Sequence, residues 1–217
     1  MEMRSMYHKR LREIQDQVLM MGSLAGDAIL RSVEALKNRD LDLAQHIVEG
    51  DQQINDLRFS IEEKCIQLIV TQQPIANDLR IIIAVLNIIT EVERIGDYAE
   101  GIAQITIMIG DEPPVKPLVD IPLMAEQAVD MLRRSLDAFI SQDAEAARKI
   151  SDEDDIVDNL YDQVYLDLLD LMMKDHRIVS RATRLIWVAH DLERCADRVT
   201  NICERVIFVI TGKMEEM

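Results

Sequence analysis

Residues 93–102 read ERIGDYAEGI and residues 193–202 read ERCADRVTNI. Each sets a glutamate and an aspartate four positions apart inside a run that is otherwise apolar. Superposing Glu93 on Glu193 also superposes Asp97 on Asp197 and Ile102 on Ile202, an offset of 100 residues. Upstream, DQQINDL from Asp51 matches DDIVDNL from Asp154 at an offset of 103. A slightly different loop length accounts for the change in offset. Self-similarity on this scale marks two copies of one supersecondary unit.

Within the unit, apolar residues recur at three and four. Leu24, Ala28, Val33 and Leu36 mark one helix, and Val85, Ile88, Val92, Ile95 and Ala99 another. Breaks fall at Asp40, a helix stop followed by an N-cap, at Pro74 after TQQ, at SQD (141–143) and at KDHR (174–177). Four of the five prolines gather in DEPPVKPLVDIP, residues 111–122, which reads as an extended linker. Six helices follow, roughly over 4–38, 41–72, 75–109, 121–140, 143–173 and 177–211. The expected fold is all-α: two pseudo-symmetric three-helix bundles related by internal duplication, one over 1–110 and one over 121–217, joined by a linker at 111–120.

Composition agrees with that fold. Hydrophobic residues make up 48% but aromatics only 4%, and 217 residues include just seven glycines. An aliphatic core with few turns favours long helices over sheets. A formal charge of −16 repels phosphate backbones, so nucleic acid is not an expected partner. The same charge suits metal cations or a basic patch on a protein partner, and it also keeps long helices solvated. Cys65, Cys195 and Cys203 form no C-x-x-C pair, which points to reduced thiols and a cytoplasmic location. MEMRSMYHKRLREIQDQ at the start lacks the apolar stretch of a signal peptide, and no run reaches the roughly 18 apolar residues of a membrane span.

Residues four apart on a helix lie about 40° apart around its axis. Asp97, Glu100 and Gln104 therefore share a stripe with Glu93, with Val92, Ile95, Ala99 and Ile102 on the other side. In the second copy the stripe carries Glu193, Asp197 and Glu204, with His190 and Asn201 at its edge. Like charges one turn apart repel, by a few tenths of a kcal/mol on an exposed helix and by more when partly buried. Arg94 and Arg194, about 100° away, offset this only in part. The preceding helices supply Asp51 and Asn55 in the first half, Asp154 and Asp158 in the second. Facing one another, these groups form oxygen donor sets for a hard cation such as iron, manganese, magnesium or calcium. The competing reading is a solvated acidic face. Ser151 and Asp154 also have the spacing of a capping box.

Other chemistry is sparse. Glu-x-x-His, the di-iron motif of ferritin-like bundles, does not occur, and His190 and Glu193 run in the reverse order. His8, His46 and His176 read as surface or loop residues. Cys195, Cys203 and Trp187 read as packing. Phosphate-cradling glycine loops and nucleophile–base arrangements are missing, so catalysis is not expected.

QPIANDLR, Gln73–Arg80, followed after an apolar run by ERIGDYAEGI, resembles the PhoU family of phosphate-transport accessory proteins. ERCADRVTNI resembles that family's second copy of the motif, and the likeness extends over essentially the whole chain. The resemblance implies two three-helix bundles and a non-catalytic cytoplasmic negative regulator of phosphate uptake. It implies partners as well: the ATP-binding subunit of a phosphate ABC transporter and the sensor histidine kinase of the phosphate two-component system. Contact with the membrane would run only through those partners.

Metal ions are implied too, iron clusters first, with zinc, manganese or magnesium as further occupants. By position, Glu93, Asp97 and Asp51 would ligate in the first half, beside Asn55 and Glu100. Glu193, Asp197, Asp154 and Asp158 would do so in the second, beside Asn201. Departures are visible. Asn55 replaces the acid found at Asp158, Ala196 stands for Gly96, Thr200 for Glu100, and VSRATR for the Asp-Leu-Arg segment. Apolar residues spread widely around the third helix of each half, a surplus that suggests a homodimer contact. The alternatives are a di-iron or redox helical-bundle metalloenzyme and a structural helical scaffold.

Overall fold

Asp40 shows how the chain turns its corners. Its carboxylate accepts a 2.9 Å hydrogen bond from the Leu43 N–H at the head of α2 (Leu41–Gln72), meeting one of the donors a helix start leaves unpaired. Arg39 before it adopts a left-handed conformation (φ 56°) that ends α1 (Glu2–Asn38). The same device recurs 103 residues on. Gln142 (φ 55°) ends α4 (Asp120–Ser141), and Asp143 accepts from the N–H groups of Glu145 and Ala146 to start α5 (Ala144–Ser151). The repeat therefore extends beyond the acidic motifs to the turns.

The computed structural model describes residues 2–215, so the outermost residues of the expected spans 1–110 and 121–217 lie outside it. Among the described residues the chain is all-α. The remaining elements are α3 (Asn77–Ile109), α6 (Asp154–Lys174), a 3-10 turn at His176–Ile178 and α7 (Val179–Thr211).

Two expectations need correcting here. The helix expected over 143–173 is two helices, α5 and α6, broken at Asp152 and Glu153. Glu153 is held from α4 by Arg134, whose Nη1 lies 2.8 Å from Oε1, and by Gln127 Nε2 at 3.0 Å, which fixes the corner. The capping box is likewise not formed. Ser151 closes α5, and Glu153, at the N-cap of α6, makes no capping hydrogen bond because its carboxylate is turned to Arg134.

One hydrophobic core runs through both halves. Ile82, Val85, Ile88, Ile89 and Val92 of α3 belong to the same cluster as Leu185, Val188, Leu192 and Val199 of α7. α3 packs on α1 and α2 and also on α7, which in turn carries α4, α5 and α6. Part of the apolar surplus that suggested a homodimer is buried inside the chain, α3 against α7, while Ile83, Met108 and Ile210 stay exposed. α1 adds a second bridge to α4 through two glycines. A Cβ on Gly22 would stand 2.1 Å from Leu136 Cδ1, and one on Gly26 3.1 Å from Val129 Cγ1.

The proline-rich segment between α3 and α4 is not a free tether. Arg181 pairs with Glu112 at 3.0 Å and donates to the Pro113 carbonyl at 2.6 Å, while Arg184 donates to the Met108 carbonyl at 2.7 Å. VSRATR thus brings two arginines to the junction, Arg181 holding the linker and Arg184 the last turn of α3. Trp187 corrects a further expectation. It is 52% exposed rather than packed, whereas Cys195 and Cys203 do lie in the core.

Candidate functional site

The helix wheel of α3 puts Glu93, Asp97 and Glu100 toward α2, and α2 answers with Asp51 and Asn55. Asn55 Nδ2 donates to Asp51 Oδ2 at 2.6 Å. Asp51 Oδ1 is buried without a hydrogen-bond partner, 3.4 Å from where a Cβ on Gly96 would sit. Gly96 thus lets α2 approach close enough to bring Asp51 over the stripe. Burial raises the Asp51 carboxyl above its ordinary range, and the charges of Asp97 and Glu100 raise it further. Asp97 is raised in the same way, by burial first and then by Glu93 and Glu100. Across the groove Arg58 Nη1 lies 3.4 Å from Glu93 Oε1, and its charge also acts, more weakly, on Asp97.

The second cluster joins Asp154 and Asp158 of α6 to Glu193 and Asp197 of α7. Burial pushes Asp154 up to about 7, helped by Asp158, Asp197, Glu193 and Asp155 in that order. Asp158 and Glu193 are raised too, each by burial and then by Asp197. Asp154 Oδ1 and Glu193 Oε2 are buried with no hydrogen-bond partner. His190 Nδ1 lies 3.4 Å from Glu193 Oε2, and Arg194 Nη1 lies 3.0 Å from Asp197 Oδ2. Asn201 stands apart from this group. Its amide donates to Glu91 Oε2 of the first half at 3.2 Å.

Both clusters therefore hold carboxylates that repel one another, and both contain orphaned oxygens. Their chemistry suits a hard cation. Among the described residues, however, no three His, Cys, Asp or Glu side chains already stand close enough to grip an ion between them. A bound cation would need the carboxylates to swing together.

Sequence reasoning missed a third polar site, where α3 and α7 cross antiparallel. Glu91 meets Asn201, and Gly101 meets Asp191, whose Oδ2 would be 3.3 Å from a Cβ there. Arg198 Nη1 lies 3.4 Å from Glu91 Oε2 in a largely buried pair, its side chain 12% exposed and that of Glu91 18%. The offset of 100 that exposed the repeat would have paired Glu91 with Asp191, but neither belongs to a motif.

Comparison with known proteins decides the relationship. The sequence profile of the PhoU domain matches the chain twice, over residues 18–106 and 121–206. The chain belongs to the PhoU family. The PhoU homologue of Aquifex aeolicus, a phosphate-specific transport system accessory protein, is 39% identical over 206 residues, covering 95% of this chain and 93% of that one. Escherichia coli PhoU is 32% identical over 207 residues, covering 95% and 86%. In three dimensions the fold matches crystal structures of PhoU from Pseudomonas aeruginosa, with TM-score 0.90, 34% identity and coverage of 95% and 100%. It also matches the phosphate transport system regulatory protein PhoU of Streptococcus pneumoniae, with TM-score 0.89, 27% identity and coverage of 97% and 100%.

The two PhoU repeats are not electrostatic copies of each other. Arg58, which neutralises Glu93, is replaced at the equivalent place by Tyr161, and Thr90 by His190. Asn55, an amide, is replaced by Asp158. The second PhoU repeat thus keeps four carboxylates, Asp154, Asp158, Glu193 and Asp197, without a counterpart of Arg58, and burial of Asp154, aided by these acidic neighbours, displaces it to about 7.

Proposed function

We propose that the protein is a non-catalytic negative regulator of phosphate uptake. When phosphate is plentiful it holds the starvation response off by standing between the ATP-binding subunit of the high-affinity phosphate ABC transporter and a membrane-bound sensor histidine kinase. It acts in the cytoplasm and reaches the membrane only through those partners; among the described residues no helix is long and apolar enough to cross one. The observation that carries this reading is the agreement, over 95% of the chain, with relatives named as accessory proteins of the phosphate-specific transport system. The test is deletion of the gene with a phosphate-starvation reporter read in rich phosphate. Constitutive expression supports the role; an unchanged, silent reporter sinks it.

Within that role, Glu93, Asp97 and Asp51 in the first repeat, beside Asn55 and Glu100, and Asp154, Asp158, Glu193 and Asp197 in the second, are the groups that would hold a cation. Iron is the first choice, with manganese, magnesium or zinc as the others. The orphaned oxygens of Asp51, Asp154 and Glu193 support this. A cation there would cancel carboxylate repulsion and tie α2 to α3 and α6 to α7.

A further inference from the structure

Trp187 is the chain's single tryptophan, and it lies exposed on the surface of α7. His190 follows it one turn along α7, and the Tyr161 ring of α6 lies 6.1 Å from His190 and 6.3 Å from Tyr165. From there an apolar stripe continues down α6 at four-residue steps through Tyr165, Leu169 and Met173, widened by Leu166. Leu166 is 62% exposed and Met173 66%. The first repeat shares only the far end of this stripe, as exposed Ile66 and Val70. Where the second repeat has Tyr161, Tyr165, Trp187 and His190, the first has Arg58, Glu62, Asn87 and Thr90. The ring-bearing face is therefore not inherited from the common unit.

Charge says what covers it. α6 carries six aspartates and one lysine, and that lysine, Lys174 at its far end, pairs with Asp170. Among the described residues no Lys or Arg lies within ion-pair distance of Asp155 or Asp162, which share this helix with the rings. A second copy would bring the same aspartates against themselves, and an anionic lipid surface would be repelled. A partner segment with Lys or Arg flanking apolar anchors meets every feature: its anchors fill the stripe, its cations reach the aspartates, and they stack on the open ring faces.

We propose that the α6–α7 face around Trp187, Tyr165 and Leu166 docks a basic amphipathic segment of a partner protein. The second repeat is the recognition half. The inference does not depend on metal at the carboxylate clusters.

Because Trp187 is the only tryptophan, its emission reports the face directly. The probe is a synthetic Lys/Leu amphipathic helical peptide free of aromatic residues, with the Glu/Leu peptide of the same pattern as control. The Lys/Leu peptide should shift Trp187 emission to the blue, and the Glu/Leu peptide should not. Tyr165→Ala with Leu166→Ser should weaken binding at least tenfold, while Ile66→Ser with Val70→Ser in the first repeat should leave it unchanged. All four positions are exposed, so thermal melts of both variants should match the parent. Binding that survives the Tyr165→Ala, Leu166→Ser change would be general attraction to an acidic chain and would overturn the proposal. So would a concentration-dependent blue shift without peptide, which would mean a second copy. An equal shift on vesicles of phosphatidylglycerol would overturn it in favour of a membrane.

Discussion

Glu91 and Asp191 hold the same place in the two repeats, and among the described residues only Glu91 is ion-paired with an arginine. The pseudo-two-fold that exchanges α3 and α7 carries Glu91 onto Asp191 and Asn201 onto Gly101, and it carries Arg198 onto Tyr98. One arm of the crossing is thus an ion pair with an amide. The other is a carboxylate pressed against a glycine.

Removing Arg198 would leave Glu91 half-desolvated with only the Asn201 amide. Arg198→Ala is expected to cost about 2–3 kcal/mol in urea unfolding. Adding Glu91→Gln should restore part of that loss, since the penalty lies in the stranded charge. A double variant no more stable than the single would show that Arg198 acts by packing alone.

Asp191 behaves in the opposite sense. Burial raises its carboxyl to about 6, with His190 pulling slightly the other way. A raised carboxyl favours the folded state while it is protonated, so this contribution is lost as pH climbs from about 4 through 6. Asp191→Asn should therefore stabilise the protein at pH 7.5 by about 2 kcal/mol, allowing for residual screening by water, and should matter little at pH 4. Melting curves at the two pH values read the difference.

The same sign holds for Asp154, displaced to about 7. In chelator, Asp154→Asn should raise the melting temperature at pH 8 by several degrees and do little at pH 4. A hard cation added at pH 8 should raise the melting temperature of the parent and not that of the variant. Equal gains in both would place the cation elsewhere.

Elemental analysis of protein purified without chelator tests the ligand set itself. The parent should carry about one metal or more per repeat, and Asp97→Asn with Asp197→Asn should lose it. Metal-free parent protein would turn the clusters into acidic surfaces alone.

Gly22→Leu places a side chain where even a Cβ meets Leu136 at 2.1 Å. Overpacking of this kind costs about 1–3 kcal/mol. Because α1 and α4 belong to different repeats, the loss should appear in a single unfolding transition reported alike by both halves.

What the sequence made legible was whatever repeats. Glu93, Asp97, Glu193 and Asp197 announced the duplication, and the apolar period gave the helices to within a few residues. Asp40 was legible as a cap because local chemistry decides it. Ser151 was misread, since Glu153 is claimed by Arg134 nineteen residues away, a tertiary contact that no local spacing encodes. Trp187 was misread because an apolar run surrounds it, while its own direction on α7 is set by how the repeats pack. Arg181 and Arg184 break the repeat because they hold the linker and the end of α3, contacts that no local spacing encodes.

The antiparallel crossing of α3 on α7 has the form of a two-fold dimer written into one polypeptide. A self-complementary surface of this kind closes when two like units meet, and here both units belong to one chain. The linker held by Arg181 sets a high and fixed effective concentration of one half for the other. Joined in this way, the halves need not be identical: the first carries a balancing arginine at position 58 where the second carries Tyr161.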